Sequence, residues 1–318
     1  MTARTVAVTG ASGFIGRSVC AKLVGAGYQV RRIVRRAAHV NDLVVPDLSR
    51  LDSWASILDG VSAVVHLAAL THSGRNRDAA ARDAYRAINV NATRRLAEQA
   101  CSRGIESVVF MSSIKVNGES SVSPSGELYS YCPQDVPAPE DLYGKTKLEA
   151  EQCLFDTLKG SDVRLSVLRP PLVFGPGQKA NMLSLMHIIR FGLPLPLGNV
   201  ENQRSFIYVE NLADAVLSSL ERQRGQGCYT LADVTMSTPA LITTFASAMD
   251  VKPRLFSMPD IGVRLLSLLP PLEQAISRIY GSLAVDSSLI NEELGWVPKI
   301  DFSEGVATTV AWYRGLAQ

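Results

Sequence analysis

Cysteine and histidine are scarce in this chain, and neither is arranged for a staple or a metal. The five cysteines, Cys20, Cys101, Cys132, Cys153 and Cys228, are odd in number and scattered, with no CxxC pair. That pattern points to thiols and away from a disulfide framework or a zinc ribbon. The four histidines, His39, His66, His72 and His187, make no HExxH or HxxxH pair, so no metal is expected. Long apolar runs are missing too: no stretch of about 18 apolar residues occurs, and the N-terminus enters a strand pattern instead of a signal sequence. The expectation is a soluble, cytoplasmic chain without membrane insertion. An excess of one charge is also lacking. With 32 basic and 30 acidic residues the net charge is +2, which argues against a general footprint for nucleic acid or anionic lipid.

What is present is apolar residue and alternation. The chain has 318 residues, 47% of them hydrophobic, enough for sizeable cores in about two domains. Apolar runs at Thr5 to Thr9, Gln29 to Val34, Ser62 to His66, Ser107 to Met111 and Val163 to Leu168 alternate with helical stretches. Among these helices are a long one from about Arg77 to Arg103 and another around Leu142 to Lys159. Short, nearly continuous apolar runs separated by helices predict a doubly wound parallel α/β sheet buried on both faces, of the Rossmann type. After Arg169-Pro-Pro171, Gly and Pro become frequent and the alternation stops. A smaller, interleaved C-terminal substrate domain is expected there. Ser205 to Val209 and Gly227 to Leu231 look like returns to the main sheet, which divides the chain into 1–172 plus 205–235 and 173–204 plus 236–318. The Leu-rich stretch Ile261 to Ile279, with Pro270-Pro271, reads as a broken helix packed on the small domain or on a subunit partner, as in a homodimer.

Three glycines, Gly10, Gly13 and Gly16, follow the first strand and open the first helix as Thr9-Gly-Ala-Ser12-Gly-Phe14-Ile15-Gly16. Glycine there allows a tight turn and close approach to a pyrophosphate, whose charge rests on helix N-terminal amides. Further on, Tyr143 and Lys147 lie four apart on a predicted helix and so on one face. A cation beside a phenol favours the phenolate, which suits the tyrosine to proton transfer at a carbonyl or alcohol oxygen.

The TGxxGxxG spacing together with Tyr143-Gly-Lys-Thr-Lys147 resembles the short-chain dehydrogenase/reductase superfamily in its extended form, the epimerase/dehydratase group, over nearly the whole chain. The resemblance implies several roles. Where NAD-using relatives carry an acid at the end of the second strand, this sequence has Val34 followed by Arg35 and Arg36, so NADP(H) is favoured and NAD(H) is the alternative. Asp47-Leu48 resembles the pair that meets the adenine, and His66-Leu67-Ala68-Ala69 the strand end beside the nicotinamide ribose. Asn89 sits in a stretch similar to the family's NVxGT motif, with Ala92 in place of the usual glycine. Measured back from Val116-Asn-Gly118, the family's catalytic hydroxyl corresponds to Ser113 and not Ser112.

Arg169-Pro-Pro-Leu-Val-Phe-Gly-Pro-Gly177 is similar to the RPxxVYGPG stretch of nucleotide-sugar enzymes. Asn181 and Arg204 then fall where such enzymes hold the diphosphate, and Arg278 is a second, weaker candidate. Within the family, Ser112 to Glu119 and Gln178 to Asn181 look most like bacterial C4-ketoreductases. Those reduce a UDP-linked 4-keto-6-deoxy-N-acetylhexosamine for surface polysaccharide such as O-antigen. The runner-up is a UDP-sugar 4-epimerase with tightly held NAD; a reductase or dehydratase of steroid-like or flavonoid-like substrates comes third. A non-catalytic dinucleotide-binding sensor is the reading from another class, and the intact Ser113, Tyr143 and Lys147 argue against it.

Overall fold

In the computed structural model, residues 4–51, 53–71, 79–178, 181–222, 226–259, 261–262, 276 and 279–316 are described. β1 (Thr5–Thr9) leads through α1 (Phe14–Gly25) to β2 (Gln29–Val34) and a two-residue edge strand, β3 (Leu43–Val44). After a single helical turn, α2 (Ala55–Leu58), the chain crosses to β4 (Ala63–His66) on the other side of β1. Next come α3 (Ala79–Arg86), a π-helical turn at Ala87–Asn91, α4 (Ala92–Ser102) and β5 (Ser107–Met111). A short strand, β6 (Ser130–Tyr131), precedes the long α5 (Leu142–Leu158) and β7 (Arg164–Arg169). The sheet is completed by β10 (Gly227–Thr230), giving seven strands in the order β10-β7-β5-β4-β1-β2-β3.

Every pairing in that sheet is parallel. The reason is legible in strands such as Val6-Ala-Val8, Val64-Val65 and Val108-Val-Phe110, whose side chains are fully buried on both faces. One face packs under α1 and α7 (Val209–Glu221), around Val19, Leu23, Leu212 and Val216; the other packs under α4 and α5, around Leu96, Leu154 and Trp54. Because the chain leaves β1 in one direction and returns to β4 in the other, a crevice opens at the carboxyl ends of these two neighbours.

The expected return at Ser205 to Val209 goes elsewhere. β9 (Arg204–Tyr208) lies parallel to β8 (Leu172–Phe174) and antiparallel to β11 (Val234–Met236), in a separate three-stranded sheet. An alternating apolar run fits either sheet, and here Phe174, Phe206 and Tyr208 have aromatic and Met partners to fill. These come from α6 (Asn181–Arg190), α8 (Thr238–Ala248) and α10 (Phe302–Gly315). The other expected return, at β10, does join the main sheet beside β7. Late in the chain, β12 (Ala284–Val285) pairs in parallel with β6, and α9 (Ser288–Leu294) packs its Ile290 and Leu294 into the core under α1 and α7. Most of the Leu-rich stretch Ile261 to Ile279 lies outside the described residues.

Candidate active site

The glycine loop is built so that no side chain fits where it bends. Gly10 has φ +69°, and a Cβ on it would stand 3.0 Å from the Ala68 nitrogen. On Gly16 a Cβ would stand 2.2 Å from the Gly10 carbonyl oxygen. α1 starts from Gly13, which offers its first-turn amides no side-chain cap, and that turn carries no acidic residue. Helix N-terminal amides without a side-chain cap among the described residues, beside a cradle that any Cβ would close, fit a dinucleotide pyrophosphate. Ser12 is exposed at the same turn, while Phe14 and Ile15 turn inward against the aromatic cluster of the second sheet.

The second wall of the crevice is pinned by a chain of hydrogen bonds that sequence reading missed. Thr9 Oγ1 accepts from the backbone nitrogens of Leu67 and Ala68, each at 3.1 Å, so its own hydrogen goes to His66 Nδ1, 2.7 Å away. The ring therefore carries its proton on Nε2 and donates it to Thr93 Oγ1 at 3.0 Å; Thr93 in turn donates to the Asn89 carbonyl. Burial pushes His66 down to about 3, which keeps it neutral. Asn89 stands in the π-helical turn and has both amide hydrogens engaged, one on the Leu70 carbonyl and one on Thr146 Oγ1, each at 3.1 Å. Its Oδ1 accepts from the Leu70 nitrogen at 2.8 Å. The side chain thus ties the loop after β4, which carries Leu67, Ala68 and Ala69, to α5 between Tyr143 and Lys147.

At the end of β2, the four arginines separate into two kinds. Arg31 donates to the carbonyls of Ile57 and Asp59, and Arg32 pairs with Asp42 at 2.7 Å. The Ala38 amide, with help from Arg32, pulls Asp42 down to about 2. Arg35 and Arg36 are exposed and form no ion pair among the described residues. Val34, the last residue of β2, is buried. Asp47 accepts from the nitrogen and hydroxyl of Ser49, capping the turn that starts at Leu48.

Ser113, Tyr143 and Lys147 gather at the carboxyl end of β5. Lys147 is fully buried, donates to the Met111 carbonyl at 2.7 Å, and lies 4.4 Å from the Phe110 ring centroid and 6.0 Å from that of Tyr143. Burial lowers Lys147 to about 7 and raises the Tyr143 phenol. Ser113 is half-buried and caps the turn Ile114–Val116, its Oγ accepting from the Lys115 nitrogen at 3.3 Å. The neighbouring Ser112 is buried and donates to Glu151, so its hydroxyl is not offered to the crevice.

Two devices bring Tyr143 up against the Ser113 turn. Gly144 lets α5 press onto it, since a Cβ there would stand 2.6 Å from the Lys115 carbonyl oxygen. Lys115 also spans to Asp141, at 2.5 Å, and Asp141 caps α5 by accepting from the Gly144 nitrogen. The sequence placed Thr9, His66 and Thr93 in motif stretches without giving their side chains a role, and it gave none to Gly144 or Glu151. Glu151 carried a signal of its own, as the next member of the Tyr143–Lys147 row on one helix face.

In the second sheet, Arg204 donates to the Gly281 carbonyl at 2.9 Å, and its backbone bridges to Leu283. Leu283 and Val285 pack on Ile114 and Tyr131, so one small apolar cluster joins the Arg204 segment to the residue after Ser113. Asn181 opens α6, but its side chain and the whole of Arg278 lie outside the described residues.

The model of the NAD dependent epimerase/dehydratase family matches residues 6–232. This chain belongs to that family. Among curated relatives, a UDP-glucose 4-epimerase of Vibrio cholerae is 33% identical, with 96% of this chain and 94% of the relative covered. A ceramide reductase of Caulobacter vibrioides is 25% identical over 97% and 94% of the two chains. Among solved structures, MoeE5 in complex with UDP-glucuronic acid and NAD superposes with a TM-score of 0.77 at 26% identity, covering 98% of this chain and 99% of the other. As an epimerase/dehydratase, the chain is an enzyme that uses a dinucleotide of the NAD(P) type. Among its described residues no helix is long and apolar enough to cross a membrane.

Proposed function

We propose that this enzyme performs hydride chemistry at C4 of a UDP-linked hexose, as the NADPH-dependent reduction of a 4-keto-6-deoxy-N-acetylhexosamine destined for surface polysaccharide. The observation that carries the reductive reading is the end of β2. Two guanidiniums without an ion pair among the described residues follow a buried valine, where a carboxylate would repel a 2′-phosphate. The bound nicotinamide would supply the hydride. Ser113 Oγ makes no hydrogen bond through its proton among the described residues and would donate it to the C4 carbonyl oxygen. Tyr143, kept protonated by burial, would protonate the oxygen as the alcohol forms, with Lys147 beside it to stabilise the phenolate left behind.

Removing one arginine tests the cofactor reading. Arg35→Ala should weaken NADPH by about 10- to 100-fold, the equivalent of ~1.5 to 3 kcal/mol for a charge-assisted contact, and leave NADH nearly untouched. Fluorescence titration with both cofactors checks this; equal losses would mean that Arg35 stacks on the adenine instead. Arg36→Ala belongs in the same series.

The nucleotide-sugar reading rests on Arg204, supported by a UDP-sugar in the MoeE5 complex. Arg204→Ala should raise KM for a UDP-sugar at least about tenfold with little change in NADPH binding. The Gly281 carbonyl would keep its second donor, Asn202 Nδ2 at 2.9 Å, so the local backbone stays anchored. Equal KM values for variant and wild type would remove the nucleotide-sugar assignment.

A second reading, a UDP-sugar 4-epimerase, is favoured by the 33% identical Vibrio cholerae relative. The two separate in one assay. Loss of NADPH absorbance with a 4-keto-6-deoxy sugar nucleotide supports the reductase; conversion of UDP-N-acetylglucosamine to its C4 epimer without net NADPH use supports the epimerase.

A further inference from the structure

Beneath the crevice lies a polar network that the proposed chemistry does not touch. Glu151 and Arg169 face each other in two hydrogen bonds, Nε to Oε1 at 3.0 Å and Nη2 to Oε2 at 2.5 Å. Ser112 donates to the same Oε1. Arg169 Nη1 donates to Asn117 Oδ1 at 3.0 Å, and Asn117 Nδ2 donates to the Cys132 carbonyl at 3.1 Å. All four residues are at most 4% exposed. Each belongs to a different segment: Ser112 to the end of β5, Glu151 to α5, Arg169 to the end of β7, and Asn117 to the turn after Ser113.

Stability does not account for this arrangement. Two charges lose their hydration on burial, and a buried ion pair roughly breaks even against well-packed apolar side chains of similar volume. What a bidentate pair provides, and an apolar contact does not, is one fixed geometry. Every reacting group is attached to a member of the network. Ser113 is the residue after Ser112 and stands four before Asn117, while Lys147 is one helical turn before Glu151 and Tyr143 is two turns before it. The backbone repeats the link, because the Ser112 nitrogen donates to the Leu168 carbonyl and the Ile114 nitrogen to the Pro170 carbonyl, on either side of Arg169.

We propose that Ser112, Glu151, Arg169 and Asn117 form a positioning bracket that holds the Ser113 hydroxyl and the Tyr143–Lys147 row at one working separation. The inference rests on the reading of Ser113, Tyr143 and Lys147 as the reacting groups. It assigns the four residues no contact with substrate or cofactor: they act through the segments they join. Misplacing reacting groups by about 1 Å costs on the order of 10²-fold in rate while leaving ground-state binding largely intact.

The test pairs the double variant Glu151→Leu/Arg169→Met, which leaves no buried charge unpaired, with the milder Ser112→Ala and with Tyr143→Phe. All are assayed beside wild type for NADPH-dependent reduction of a UDP-4-keto-6-deoxy-N-acetylhexosamine and for epimerisation of UDP-N-acetylglucosamine. The double variant leaves the buried Ser112 hydroxyl and Asn117 Oδ1 without these partners, so it should melt below wild type yet stay folded and bind NADPH normally, with kcat down about 10- to 100-fold and KM little changed. Ser112→Ala should lose about three- to tenfold in kcat alone. Wild-type kcat in a folded double variant overturns the bracket, as does a loss shared equally by kcat and NADPH affinity, which marks a merely structural role. Should the double variant not fold, Ser112→Ala decides, and full kcat there overturns the proposal. Full activity in Tyr143→Phe removes instead the reading on which the bracket rests. If wild type turns over neither substrate, that reading fails by itself; crystal structures of wild type and Ser112→Ala then decide, and an unchanged separation of Ser113 and Tyr143 overturns the bracket.

Discussion

Replacing Tyr143 with Phe should lower kcat by about 10²-fold or more while leaving the fold and dinucleotide affinity as they are. The substitution removes one oxygen. That oxygen makes no hydrogen bond among the described residues, so its loss leaves no buried partner unsatisfied there, and the ring keeps its place on α5. What disappears is the proposed proton donor. Burial raises the phenol, which keeps it protonated at neutral pH in the free chain, while burial lowers Lys147 to about 7. A lysine with a depressed value is charged below it and neutral above it, so the cation that would stabilise the phenolate left on Tyr143 is lost as pH rises through about 7. The reductive rate of wild type should fall over that range, and the residual rate of Tyr143→Phe should lack that limb. Stopped-flow turnover across pH 5 to 9 (roughly the range in which the lysine changes charge) measures both. Near-normal turnover in the variant would sink the assignment of Tyr143.

The alternation of apolar runs was enough to read the main sheet, because strands buried on both faces leave an unbroken apolar signature in β1, β4 and β5. The same signature misled at Ser205 to Val209, since burial in a small second sheet looks identical along the chain. β3 escaped notice because two residues make no period. In the site, spacing revealed what sits on one helix or one loop: the three glycines, and the Tyr143–Lys147 row. Side chains that matter through partners distant in sequence left little trace. Thr9 and His66 are 57 residues apart, and Arg169 and Asn117 are 52 apart. Even the separation of Arg31 and Arg32 from Arg35 and Arg36 needed the partners, Ile57, Asp59 and Asp42, to become visible.

Gly16→Ala should damage both stability and cofactor binding, and Gly25→Ala, nine residues further along the same helix, should damage neither. The added atom is the same methyl group in both. At Gly16 it would meet the Gly10 carbonyl oxygen at 2.2 Å and two Ala11 backbone atoms at 2.9 Å. None of these is the end of a flexible side chain, so relief requires the loop from Gly10 to Gly13 to move away from the helix start. Overpacking of this kind costs about 1 to 3 kcal/mol. The loop is also the surface on which the pyrophosphate would lie, and a shift there misaims the amides at the start of α1, so the dissociation constant for NADPH should rise at least about tenfold. At Gly25 nothing lies within 4 Å of the new methyl group, and alanine is the better helix former by up to ~1 kcal/mol. Thermal melts of the cofactor-free variants should therefore move in opposite directions, or at Gly25 not at all. Adding saturating NADPH should stabilise wild type and Gly25→Ala alike, and Gly16→Ala much less. A Gly16→Ala protein with the melting temperature and NADPH affinity of wild type would show that the loop accommodates a side chain, and the glycine cradle would lose its place in the argument for a bound dinucleotide.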